Sequence, residues 1–264
     1  IPDMACLKKF MEKAEELNVP LWMGETGENV NEWYSALYPL ALSLGIGYNL
    51  WPWKKMECTN SPCSICRPKE YQVLLDYFKE GIKPAQEKAQ EILDEYLENI
   101  KIENCVEHPE VTCYVYRRLP FSIRATDFDE CPGRGKSFSG TGTENPEISY
   151  RRGCGMKIVE LRGIQEKQFV FDCQWDRFGL VLKEGEFACY SLDEQKDMEV
   201  EITLASGYSG GTFSLGRGQE EEIVSVSSEQ RKVKVHIGAG SGALTARMLE
   251  GEICLERLGF REMF

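Results

Sequence analysis

The feature that most constrains this chain is a change of period at about Cys105. Before it, apolar residues recur at three- and four-residue spacing between short apolar runs. After it they alternate every second residue, with frequent glycines. A helical repeat and a strand repeat place side chains on different faces, so one pattern cannot stand in for the other. The chain therefore divides into an α/β segment over residues 1–104, a junction over 105–118 and an antiparallel β-sandwich over 119–264.

In the first segment, residues 2–18 read as a helix with Met4, Leu7, Phe10, Met11, Ala14 and Leu17 on one stripe, stopped by Asn18 and Pro20. A strand over 20–24 follows. Asn31 can cap a second helix carrying Trp33, Tyr34, Leu37, Tyr38, Ala41 and Leu44, which Gly45 ends. A strand over 46–51 comes next, then a loop through Pro62. Pro68 suits a first helical turn, with Tyr71, Leu74, Leu75 and Phe78 running to Gly81. A last helix spans Pro84 to about Ile100. The order helix, strand, helix, strand, helix fits the last two βα units of a (β/α)8 barrel. Such a barrel needs eight units and roughly 250 residues. Two parallel strands cannot close one, and their apolar faces need neighbours. The pattern thus expects further barrel units, from the same gene or from a second chain.

In the second segment the alternation predicts strands at 110–117, 120–125, 156–162, 167–172, 178–182, 186–192, 197–204, 211–215, 222–226, 231–237, 243–248 and 252–258. Many short strands with turn signals between them describe a sandwich.

Composition narrows the partners. Of 264 residues, 31 are Lys or Arg and 43 Asp or Glu, a formal charge of -12. A polyanion is a poor partner for such a surface, and no basic stripe suggests nucleic acid. No apolar run approaches the ~20 residues that cross a bilayer. The 11 cysteines are odd in number and unpatterned, which favours a reducing, cytoplasmic setting, or an anaerobe, over an oxidised secreted scaffold.

The chemistry gathers at two strand ends. Val19-Pro20-Leu21-Trp22-Met23-Gly24-Glu25-Thr26-Gly27 closes an apolar run with a carboxylate between glycines. Gly45-Ile46-Gly47-Tyr48-Asn49-Leu50-Trp51-Pro52-Trp53-Lys54-Lys55 ends the next in indoles and ammoniums. Barrel enzymes keep their chemistry at strand C-termini, and a carboxylate beside an indole suits gripping and cleaving a sugar. An indole offers a flat apolar face to the C–H side of a pyranose.

Together the two stretches resemble the last two strands of a family 5 glycoside hydrolase, the cellulase type. The resemblance implies that Glu25 is the nucleophile of a retaining β-glycosidase acting on a β-glucan or a similar saccharide. It implies that Trp51 is the sugar platform, with Trp53 and Lys54 touching neighbouring sugars, and an extracellular location. No cofactor or metal is expected. A retaining mechanism needs a second carboxyl ~5–5.5 Å away. Asp3, Glu12, Glu15 and Glu16 fall on the first helix and Glu28 on a loop, so the acid/base is expected outside this chain. The alternative is a non-catalytic carbohydrate-binding or structural protein with an inert barrel remnant. Cys58, Cys63 and Cys66 form a C-x4-C-x2-C cluster without an evident fourth ligand, and free thiols are the better reading.

The second half resembles a family 6-type carbohydrate-binding module, carried by Ile123 to Asp129, Tyr150 to Ile158, Gly185 to Leu192 and Cys254 to Phe260. By that resemblance the aromatic platforms fall on Leu180 and near Gln230 or Arg231, and the sugar-bonding asparagine on Cys254. The usual cleft should therefore bind sugar poorly, with Trp175 and Tyr150 as leftover aromatics. The resemblance also places a structural calcium near Arg124, Thr126 and Glu256. Here an Arg124–Glu256 ion pair is expected in its stead.

Overall fold

The computed structural model describes residues 4–29, 31–129, 137–140, 155–166 and 174–263. Helix α1 (Met4–Leu17) leads to strand β1 (Trp22–Thr26), helix α2 (Asn31–Ser43) and strand β2 (Gly47–Leu50). β1 and β2 pair in parallel, Trp22 opposite Gly47 and Thr26 opposite Leu50, as a two-stranded sheet. The stripe on α2 is buried as its period requires: Tyr34, Leu37, Tyr38 and Ala41 are at most 1% exposed. Among the residues of α1 whose burial is described Leu7 alone is buried, whereas Phe10 and Leu17 join Val19, Trp22 and Leu42 at the surface.

The expected loop after β2 contains structure of its own. Strands β3 (Lys54–Met56) and β4 (Cys63–Ile65) pair in parallel, and β5 (Val106–Glu107) adds antiparallel to β4. This small sheet interrupts the second expected βα unit, and the described residues show a two-stranded parallel sheet rather than a barrel wall. Helices α3 (Gln72–Glu80) and α4 (Gln86–Asn99) follow β4 in sequence; Ile92 alone among their residues is buried.

The strand expected at 110–117 is instead helix α5 (Pro109–Val115). Its apolar residues sit at 111, 114 and 115, a helical spacing, and Pro109 supplies the fixed φ that suits a first turn. Val111, Tyr114 and Val115 are buried, and Tyr114 and Val115 pack on Tyr34, Leu37 and Tyr38 of α2.

The sandwich strands are β6 (Phe121–Arg124), β7 (Phe138–Ser139), β8 (Lys157–Glu160), β9 (Phe178–Lys183), β10 (Phe187–Tyr190), β11 (Met198–Leu204), β12 (Gly210–Arg217), β13 (Glu220–Ser227), β14 (Lys232–Ile237) and β15 (Leu244–Glu262). The strand expected at 167–172 and the residue Tyr150 lie outside the described residues. The two strands expected at 243–248 and 252–258 are one continuous strand of 19 residues, β15. Its first half pairs with β12 on one side and β10 on the other; its second half pairs with β11 on one side, then β9 and β6 on the other. All these pairings are antiparallel. β13, β7, β14 and β8 extend the sheet outward.

The register of β15 with β12 breaks at Leu249, a bulge that bends the strand, and β11 takes over from β12 between Glu252 and Leu255. Gly251 follows with φ +93°, and a Cβ there would lie 2.3 Å from the carbonyl oxygen of Gly210. Only glycine admits both the dihedral and the approach. The concave side holds one core that includes Phe128, Tyr190, Phe213, Leu255, Leu258 and Phe260, each fully buried.

Candidate functional site

The turn that follows β1 is held from beneath. Thr26, 8% exposed, donates its single hydroxyl proton to Asn49 O at 2.7 Å and so accepts from Tyr38 Oη at 2.8 Å. Tyr34 Oη donates to Asn60 O at 3.2 Å and accepts from Asn29 N at 3.0 Å, while Asn60 Nδ2 donates to Asn29 O at 2.9 Å. Lys55 Nζ donates to Gly27 O and, at 3.2 Å, to Asn60 Oδ1. Tyr34, Tyr38 and Tyr48 stack in succession, with ring centroids 5.7 and 4.6 Å apart. Burial pushes the Tyr38 phenol up to about 12 and raises that of Tyr34 further, so both stay protonated donors. Burial lowers the Lys55 ammonium, opposed by the nearby Cys58 and by the negative charge of Glu28. Gly27, at φ +106°, has no room for a Cβ, which would meet Trp51 O at 2.4 Å.

On this base Glu25 stands exposed, one residue before Thr26 on β1. Thr26 O accepts from Trp51 N at 2.8 Å, so the two strand ends are tied directly. Trp51 and Trp53 are 49% and 44% exposed, which makes them surface indoles rather than core packing. Lys54 faces another way: its ammonium donates to Ile100 O, capping the carbonyl end of α4 where a cation is favoured. The structure thus brings Glu25 and Trp51 to adjacent strand ends and ties Lys54 to a helix terminus. Sequence reading missed Lys55, Asn60 and the tyrosine stack as supports. The four-residue spacing of Tyr34 and Tyr38 was the available signal, whereas Lys55 is indistinguishable from Lys54 by residue type.

A second constellation has the composition of a nucleophile, a base and an orienting acid. Ser64 Oγ lies 2.7 Å from His108 Nε2, and His108 Nδ1 lies 3.6 Å from Glu110 Oε1. Ser64 donates its proton to Cys58 O, so its oxygen accepts from the imidazole. That direction is the reverse of general-base activation, and Ser64 is 0% exposed. The group is a buried clamp between β4 and the start of α5. Burial works to raise the Glu110 carboxyl, yet the His108 bond, a backbone bond and the charges of His108 and Arg124 hold it below the ordinary value.

Cys58, Cys63 and Cys66 are free thiols. Among the described residues no group of three His, Cys, Asp or Glu is placed to hold a metal ion.

In the sandwich, Leu180 lies wholly in the core and Cys254 is 1% exposed against Tyr208. Burial pushes the Cys254 thiol up to about 12, so it is a neutral packing group. The expected Arg124–Glu256 pair does not form. Register sets Arg124 opposite Arg257, while Glu256 falls at a register shift between Leu255 and Arg257, a bulge position where alternation no longer sets the face a side chain takes. Arg124 instead makes a two-pronged ion pair with Asp127, Nε to Oδ2 at 3.0 Å and Nη2 to Oδ1 at 2.9 Å.

No family model and no curated protein matches this chain. Solved structures similar to it include a β-1,3-glucan-binding CBM6 from Bacillus halodurans, 14% identical with a TM-score of 0.35, over 56% of this chain and 99% of that one. A family 6 carbohydrate-binding module, 11% identical with a TM-score of 0.36, matches over 54% of this chain and 93% of its own. A ruminal GH26 endo-β-1,4-mannanase is 10% identical with a TM-score of 0.32, over 56% of this chain. The chain spans 27% of that enzyme's own length.

Proposed function

We propose that this chain is part of a retaining β-glycosidase acting on a β-glucan or similar saccharide, with Glu25 as its nucleophile. The observation that carries the reading is one exposed carboxylate and one exposed indole at adjacent ends of two parallel strands, on a buried hydrogen-bonded base. In this reading the Glu25 carboxylate attacks the anomeric carbon as the glycosidic bond breaks, forming a glycosyl ester that water then hydrolyses. Trp51 lies under the pyranose ring, with Trp53 available to a neighbouring sugar. The acid/base comes from further barrel units that pack on β1 and on the apolar surface of Phe10, Leu17, Val19, Trp22 and Leu42. The antiparallel sandwich accompanies the catalytic part as a module.

The test is an activated 2-fluoro β-glycoside offered to the intact gene product. A peptide carrying the sugar mass on Glu25, with turnover lost in Glu25→Gln, supports the proposal; labelling elsewhere or full turnover in Glu25→Gln overturns it. A second reading, saccharide binding without cleavage, is favoured by the two open indoles. It predicts no turnover in the intact protein and oligosaccharide binding that Trp51→Ala weakens and Glu25→Gln leaves in place.

A further inference from the structure

In the sandwich a cleft of about 320 Å³ opens between the β12–β13 turn and the segment after β14. That lies within reach of the ~300–1,000 Å³ typical of small-molecule sites. Its lining includes Arg217, Gln219, Glu220, Glu222 and His236. Arg217 is only 5% exposed. Its Nη1 donates to Gly240 O at 2.7 Å and its Nη2 lies 3.8 Å from Met198 Sδ. Its Nε has no partner, and among the described residues no carboxylate lies within ion-pair distance of it, although the charge of Glu194 acts on it from further off. A guanidinium so buried ordinarily has an anionic partner.

The rim decides which anion. Glu220 and Glu222 are exposed and repel a free phosphate or a multiply acidic peptide, yet they accept hydrogen bonds from hydroxyls. A neutral sugar satisfies those acceptors and gives Arg217 no anion closer than Glu194. A sugar acid meets both demands, with one carboxylate for the guanidinium charge of Arg217 and several hydroxyls for Glu220, Glu222 and Gln219. We propose that this cleft is a binding site for a uronic acid residue of an oligosaccharide. The site stands on Arg217 and its surroundings and is independent of the role given to Glu25.

The experiment is calorimetric titration of the full chain with a glucuronic-acid-containing disaccharide. The comparisons are the same disaccharide reduced to the neutral sugar, and sodium acetate at equal ionic strength. The expected result is saturable binding of the acidic disaccharide alone. It should weaken roughly 10–100-fold in Arg217→Gln, as for loss of a charge-assisted pair. Should Arg217→Gln fold poorly, Ala239→Trp decides, because it fills the rim without touching the guanidinium, and it should abolish binding. Equal binding of acid and neutral forms overturns the proposal, as does acetate binding as well as the disaccharide. So does acidic-disaccharide binding that survives Ala239→Trp. No binding of any probe, with Glu220→Gln lowering the melting temperature, assigns Arg217 to Glu220 and also overturns it.

Discussion

Removing the carboxylate of Asp127 should be among the most damaging changes in the sandwich. Asp127 is 0% exposed and Arg124 6% exposed, and two bonds at 2.9 and 3.0 Å join them. The Tyr114 ring lies 5.4 Å beneath the guanidinium, so the pair also ties α5 to β6. In Asp127→Leu the guanidinium of Arg124 keeps its burial and loses this charge, directly opposite Arg257 in the register. Breaking a buried pair from one side costs about 3–5 kcal/mol, whereas replacing both partners with apolar groups is close to neutral. For a chain of this size each kcal/mol moves the melting temperature by roughly 2–4 °C, so Asp127→Leu should lower it by roughly 6–20 °C. The double variant Arg124→Met with Asp127→Leu should recover most of that loss, and Glu256→Leu alone should change little. Thermal unfolding followed by circular dichroism, with urea titration as a check, reads all three. A double variant as unstable as the sum of its singles, or an Asp127→Leu shift under ~1 kcal/mol, would refute the reasoning.

Gly251→Ala should cost at least ~2 kcal/mol, since the new methyl group lies 2.3 Å from Gly210 O at φ +93°; urea unfolding measures it. Glu110 is held below its ordinary carboxyl value in the folded state. Its contribution is therefore present above the unfolded pKa of ~4.3 and lost as pH falls through the folded one. The melting temperatures of wild type and Glu110→Gln should differ near pH 6 and converge near pH 3, and a gap that widens on acidification counts against this. Thr26→Val keeps the shape of the side chain but leaves Asn49 O and Tyr38 Oη without their partner, at about 1–3 kcal/mol. Hydrogen exchange over residues 26–29 should quicken in that variant while β12 stays protected.

The helix stripe on α2 and the strands from β8 to β14 were legible in the sequence because local period and burial agree there. Tyr34, Leu37 and Tyr38 sit where a 3.6-residue repeat puts them. The α5 helix was misread as a strand because Val111, Cys113 and Val115 alternate. The tertiary contact of Tyr114 and Val115 with α2 settles that ambiguity, and no local rule contains it. The sheet of β3 to β5 was invisible for a similar reason: its strands are two or three residues long, too short to show a period. At the strand ends, Glu25 and Trp51 stood out by type and place, while Lys54 and Lys55 differ only in what they reach. The Arg124–Glu256 expectation failed because Glu256 falls at a bulge of β15, which the sequence does not announce, and Arg124 meets a nearer carboxylate in Asp127.

The long strand β15 also fixes the order in which the sandwich can be completed. β6, β9, β10, β11 and β12 all precede it in sequence and all pair with it. On the ribosome these strands emerge with their shared partner still unmade, so their apolar edges wait in the open until Glu262 has cleared the exit tunnel. Closure then brings many distant contacts at once, the situation in which loop-closure entropy slows folding most. A stalled chain ending before Leu244 would hold most of the core residues and the separate pairs β12–β13, β11–β14, β8–β9 and β10–β7, without the strand that joins them into one sheet, which makes it a natural client for chaperones rather than a partly working protein.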